Sequence, residues 1–168
     1  QEVTMKKKWG YDDVMDYAKK ERDSVPSVPW IKFNQEFLDA EKDVDWADVS
    51  SASNSQLQKL LSIYGGGKAI LEHVVATLRA KVGAISAIFD EEYNAAFAKF
   101  MQAYEGKKPT RDEARGLIMS SNENLIALFK QKVELETAYR YEEGRLNTFS
   151  QCYNTLSRIV SLRTDKNN

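Results

Sequence analysis

The stretch that decides the fold is Tyr104–Ile118, YEGKKPTRDEARGLI, where two apolar helical runs meet. Gly106 suits a helix stop and Pro109 cannot continue a helix. Thr110 is a natural N-cap, and Glu113 three residues on completes a capping box. The same stretch also carries Lys107, Lys108, Arg111 and Arg115. It is therefore either a well-made turn or a basic tip built to touch something charged.

Working outward from the turn, Leu71, Val75, Leu78, Val82, Ile85, Phe89, Tyr93, Ala96, Phe100 and Tyr104 recur in steps of three and four. This spacing predicts one helix from Lys68 to Tyr104, roughly 55 Å long, weakened only at Gly83. After Pro109, one seam steps Ile118, Leu125, Lys132, Tyr139, Leu146, Tyr153, Val160. A second steps Ala114, Ser121, Leu128, Leu135, Glu142, Phe149, Leu156, Arg163. Their alternation is a coiled-coil repeat and predicts a second helix of about 50 residues. Ser121, Lys132 and Glu142 interrupt the seams, as residues that set register or oligomer state do. Two long helices joined by a short turn fold back on each other. The expected fold is all-α: a long, coiled-coil-like antiparallel helical hairpin with short N-terminal helices, self-associating as a homo-oligomer.

Further out, Leu57, Leu60, Leu61 and Tyr64 share one helical face, starting near Ser53–Ser55. Gly65, Gly66, Gly67 and Lys68 follow. The Walker pattern needs a preceding strand, a different spacing and Ser or Thr after the lysine. Here Lys68 is followed by Ala69. The three glycines read instead as a helix stop and hinge. Before them, 11–22 reads as a short helix, Ser24–Trp30 as a proline-containing linker, and 31–42 as another short helix bearing Phe33 and Phe37. The chain is thus expected to divide into an N-terminal arm, 1–42, and a hairpin domain, 43–168. Met5, followed by Lys6, Lys7 and Lys8, reads as a translation start, with no apolar signal core after it.

A net charge of −1 excludes a uniformly basic nucleic-acid coat. The charge is uneven, however: 1–98 carry 12 basic and 16 acidic side chains, and 99–168 carry 12 and 9. Cys152 is the only cysteine, so no intramolecular disulfide forms and a reducing setting is expected. No run of about 18 apolar residues is present, so no membrane span is expected.

Enzyme chemistry finds little footing. His73 has no orienting partner in the sequence and reads as structural. No Glu-x-x-His pair occurs, so the metal sites of helical bundles have no counterpart. The pairs Glu91-Glu92 and Glu142-Glu143 read as solvated faces. Cys152 reads as a small hydrophobe, and no G-x-S-x-G elbow appears. A non-enzymatic protein without metal or cofactor is expected. Binding residues remain: Lys99, Lys107, Lys108, Arg111 and Arg115 gather around one turn, opposed by Glu105, Asp112 and Glu113. Asp112 and Glu113 complement the helix N-terminus. The cations are candidates for contacts to a phosphate backbone, repeated around an oligomer.

The order of elements also carries a resemblance. An aspartate-bearing lead, DVDWADVSS, precedes a leucine helix ending in tyrosine, QLQKLLSIY. A long helix ends in tyrosine-x-glycine, QAYEG; then come EAR, LIMSSNENL and a terminal SRIVSLR. Over roughly residues 43–163 the chain resembles the UvsY family of recombination mediators of T-even-type phages. The resemblance implies a ring-like oligomer that binds single-stranded DNA in the cytoplasm of a bacterial host cell. It implies a recombinase and a single-strand-binding protein as partners. Where the family carries a basic-x-basic pair before the turn, this chain has Ala98-Lys99-Phe100. Lys107, Lys108 and Arg111 beyond the turn are then the candidates to supply the charge.

Two other readings stay open from the residues. One is an oligomeric structural component of a virion or scaffold. The other is an adaptor or inhibitor that captures a protein through Trp9, Trp30, Phe33, Phe37 and Trp46, since aromatic anchors are common in interfaces.

Overall fold

The computed structural model describes residues 44–165, together with Asp12, Asp13, Asp16, Lys19, Lys20 and Lys42. The expected linker and the aromatic residues of the arm lie outside the described residues, as do the expected short helices apart from those six positions. The six are helical, and Lys19 Nζ lies 3.9 Å from Asp16 Oδ1. The described chain is all-helical. A 3-10 helix spans Trp46–Ser51; α1 spans Asn54–Ala103, α2 Arg111–Ser121 and α3 Glu123–Asp165. No described helix is long and apolar enough to cross a membrane. Two compact units divide the chain, one holding 78–139 and the other 44–77 with 140–165.

In the second of these units the acidic run before Ser53 forms the 3-10 helix. Asp45 Oδ1 caps it by accepting from Ala47 N at 2.9 Å. Ser53 and Gln56 then start α1 reciprocally: Ser53 N donates to Gln56 Oε1 at 2.8 Å, and Gln56 N to Ser53 Oγ at 3.2 Å. That satisfies two of the amide groups a helix start leaves orphaned. Val44, Leu57, Leu60, Tyr64, Leu71, Phe149 and Leu156 make the core. Tyr64 meets Phe149 edge-on, ring centroids 5.1 Å apart, and Trp46 meets Tyr64 at 5.9 Å. Arg163, expected as a seam position, instead fastens the start of α1. Its Nη1 donates to Asn54 Oδ1, and its Nη2 to the Ser50 and Ala52 carbonyls, each at 2.6 Å.

The glycines do not stop the helix. α1 passes through Gly65, Gly66 and Gly67 without interruption, which corrects the expected stop and hinge. Three glycines in a helix interior cost about 3 kcal/mol relative to alanine. Each leucine- or tyrosine-sized side chain buried gains roughly 1.5–3 kcal/mol. Leu57, Leu60 and Tyr64 before the glycines and Leu71 after them enter one core only if the helical phase is kept. Burial therefore outweighs propensity. Gly65 also has a packing reason: a Cβ there would lie 3.1 Å from Tyr153 Cε2. Lys68 sits over the same ring, 5.7 Å from its centroid, and 3.8 Å from Glu72. Gly66 has nothing within 4 Å of a Cβ. Gly66→Ala is thus expected to raise the unfolding free energy by about 0.5–1 kcal/mol. Gly65→Ala is expected to forfeit that gain against the Tyr153 ring. Urea unfolding of the two variants side by side checks the contrast; equal gains would remove the packing role given to Gly65.

In the unit holding 78–139, the core is Phe89, Ile118, Met119, Leu125, Phe129 and Val133. Arg79 Nη2 donates to Tyr139 Oη at 3.1 Å, and the Phe89 and Phe129 ring centroids lie 6.0 Å apart. Lys132, one of the polar interruptions of the seam, sets its ammonium 5.4 Å from the Phe89 ring centroid. A cation over an aromatic face keeps its charge compensated while its stem packs. Glu142, the interruption in the other unit, is engaged by Arg145, whose Nη1 donates to its two carboxylate oxygens at 2.9 and 2.7 Å.

The single second helix expected after Pro109 is broken at Asn122 (φ −130°, ψ 96°). Asn122 closes α2 and opens α3. Its backbone N–H reaches the Met119 carbonyl at 3.4 Å, and its Oδ1 accepts from Leu125 N at 3.1 Å. Ser120 and Ser121 hydroxyls take the Leu117 and Ile118 carbonyls at the end of α2. Such side chains compete with the helix for its own backbone groups. Past the break the buried stripe runs Leu125, Phe129, Val133 in steps of four. The heptads place Leu125 there correctly, but continue to Leu128, Lys132 and Leu135, all three half-buried.

Candidate nucleic-acid interface

The turn between α1 and α2 is built from its backbone outward. α1 ends at Ala103, and Gly106 follows at φ +116°, a conformation that favours glycine. Thr110 N-caps α2. Glu113 N donates to Thr110 Oγ1 at 3.3 Å, while Thr110 N and Oγ1 donate to Glu113 Oε2 at 2.8 and 2.9 Å. The capping box read from the sequence is present in full.

These bonds hold the Glu113 carboxyl below its ordinary value of 4.5. The Thr110 amide is the larger cause and the Thr110 hydroxyl the second. A depressed carboxylate stabilises the fold above its unfolded pKa, and that contribution is lost as pH falls through the folded one. Thr110→Ala is expected to cost about 1 kcal/mol at neutral pH. The cost should shrink as pH falls below 4.5 and through the lowered value at which Glu113 takes up its proton in the folded parent. Thermal melts of both proteins across that range check it. A pH-independent difference would remove Glu113 from the cap.

Around this frame stand the candidate cations. Lys99 on α1, Lys107 and Lys108 in the turn, and Arg111 at the first position of α2 are all exposed. Among the described residues none forms an ion pair with these four. Arg115 differs from them. It is half-buried, its guanidinium carbon lies 5.8 Å from the Tyr93 ring centroid, and its Nε is closed to solvent without a partner. It packs against the frame of the turn. Glu105 and Asp112 are exposed, and Asp112 stands with Glu113 in the first turn of α2. There it complements the helix dipole.

One feature of the turn escaped the sequence reading. Tyr104 was expected as the last seam residue of its helix. The helix ends one residue earlier, and Tyr104 is 38% exposed with its ring 5.2 Å from that of Phe100. The signal was the tyrosine's place beside Glu105 and Gly106, where helical phase no longer carries a side chain inward.

Elsewhere the described residues offer little chemistry. No group of three or more His, Cys, Asp or Glu among them could hold a metal ion. His73, expected as structural, is exposed. Cys152 is half-buried against the Leu57–Leu156 core. Compared with family models, with curated proteins and with solved structures, the chain matches none of them.

Proposed function

We propose that the chain is a non-enzymatic accessory protein that binds single-stranded DNA, of the recombination-mediator kind. In this reading the two long helical runs form an antiparallel hairpin, and copies of the chain associate into a homo-oligomer. The observation that carries it is the set of four exposed cations at one turn, Lys99, Lys107, Lys108 and Arg111, with no ion pair to another described residue. Of the three acids around the turn, Glu113 is engaged by the N-cap, while Glu105 and Asp112 are exposed. A phosphate backbone supplies the missing counter-charge, and repetition around an oligomer multiplies weak contacts. The resemblance to UvsY-type mediators adds a phage recombinase and a strand-coating protein as partners, in the cytoplasm of the bacterial host. The test is mass in solution with and without an oligonucleotide over a salt series. An oligomer that holds the strand at low salt, without sequence preference, and releases it steeply as salt rises is expected. No bound strand at low salt sinks the reading.

A second reading is a structural protein of a larger assembly. It is favoured by Ile70, Ile88 and Leu162, exposed at 55%, 49% and 53%. The same measurement separates the two: a stable oligomer that takes up no strand is the outcome this reading expects.

A further inference from the structure

We propose that Tyr104 is a stacking platform for an unpaired base, so that the turn selects single-stranded over duplex nucleic acid. This rests on the cationic reading of the turn given above. Tyr104 lies just past the end of α1. Its ring is held from behind by Phe100, four residues earlier, with centroids 5.2 Å apart and planes tilted by 45°. Tyr104 keeps 38% of its surface exposed. In sequence, Glu105, which is exposed, and Gly106 separate Tyr104 from Lys107, and nothing lies within 4 Å of where a Cβ would sit on Gly106. Lys107 and Lys108 follow directly, exposed and with no ion pair to another described residue.

An aromatic ring beside unpaired cations matches the two chemical faces of a single strand. Phosphates meet the lysines, and a base meets the ring. Every base has a π-face, so such a contact is tolerant of sequence. In a duplex the bases are already stacked inside the helix and present phosphates alone to this turn. The cations therefore give attraction to any polyanion, and Tyr104 gives preference for a strand whose bases are free.

The experiment compares the full chain on three probes: an oligothymidylate, an abasic strand with the same number of phosphates, and a duplex. The parent protein is expected to bind the oligothymidylate about 5- to 100-fold more tightly than the abasic strand. Tyr104→Ala should erase that difference while leaving abasic binding and its salt dependence unchanged, and Tyr104→Phe should keep it. Equal binding of the two strands by the parent overturns the stacking proposal without need of any variant. So does a preference that survives in Tyr104→Ala. In either case abasic binding still reports the cationic reading by itself. Absence of binding to all three probes at low salt overturns both.

Discussion

Leu156→Ala is expected to lower the unfolding free energy by about 2–5 kcal/mol. Leu156 has 0% of its surface exposed and belongs to the core formed with Leu57, Leu60, Tyr64, Leu71 and Phe149. Truncation loses the transfer free energy of its buried carbons and adds the cost of a cavity. That cavity cannot close easily. Leu156 lies well inside α3 (Glu123–Asp165), and the facing residues belong to α1, whose start is fastened by Arg163 through three hydrogen bonds. The internal control is Leu162→Ala, six positions along the same helix at 53% exposure. It is expected to stay within about 0.5 kcal/mol of the parent. In urea, with a slope of about 1–3 kcal/mol per molar, the Leu156 variant should shift its midpoint by roughly 1–3 M with the slope unchanged. Equal midpoints for the two variants would mean that Leu156 does not face this core.

How far the fold was legible depended on whether the deciding interaction was local. The Thr110–Glu113 box spans three residues and is present; of the apolar faces, Leu57, Leu60, Tyr64, Leu71, Val75, Ile85 and Phe89 are buried, Leu61, Leu78, Val82, Tyr93, Ala96 and Phe100 are half-buried, and Tyr104 is exposed. At the triglycine, local propensity alone points to a helix stop, and the structure overrides it. What holds Gly65–Gly67 helical is the demand of Tyr64 and Leu71 for one core, together with the Tyr153 ring against Gly65. Asn122 was missed for the opposite reason. A local N-cap signal was present in Ser121-Asn122-Glu123, but a long heptad repeat was allowed to override it. At the turn, the cations could be found by counting charges. That Arg115 rests on Tyr93 could not, since the two are 22 positions apart and meet only after the chain has turned. Tyr104 depended on one residue of helix length, the least certain quantity in any reading of periodicity.

Reversing charge at three positions together, Lys107→Glu, Lys108→Glu and Arg111→Glu, is expected to weaken single-strand binding by at least about 500-fold at roughly 50 mM salt. The figure comes from counterion release. Each phosphate neutralised contributes a slope of about −0.7 for single strands, so three contacts give about −2 per protomer. The triple variant should therefore lose affinity and flatten its salt dependence by the same count. A general loss of structure would not link the two in that way. The fold should tolerate the change. Lys107 and Lys108 are exposed and without ion pairs, and the capping pair Thr110 and Glu113 is untouched. Arg111 stands at the first position of α2, where a carboxylate suits the helix dipole better than a guanidinium does. Helical content and melting temperature should accordingly match the parent. The three additional acids beside Asp112 and Glu113 then repel the strand rather than merely failing to hold it. Binding that survives the triple reversal with its original salt slope would place the strand elsewhere on the chain. The cations at this turn would then be the solvated surface of a well-capped helix.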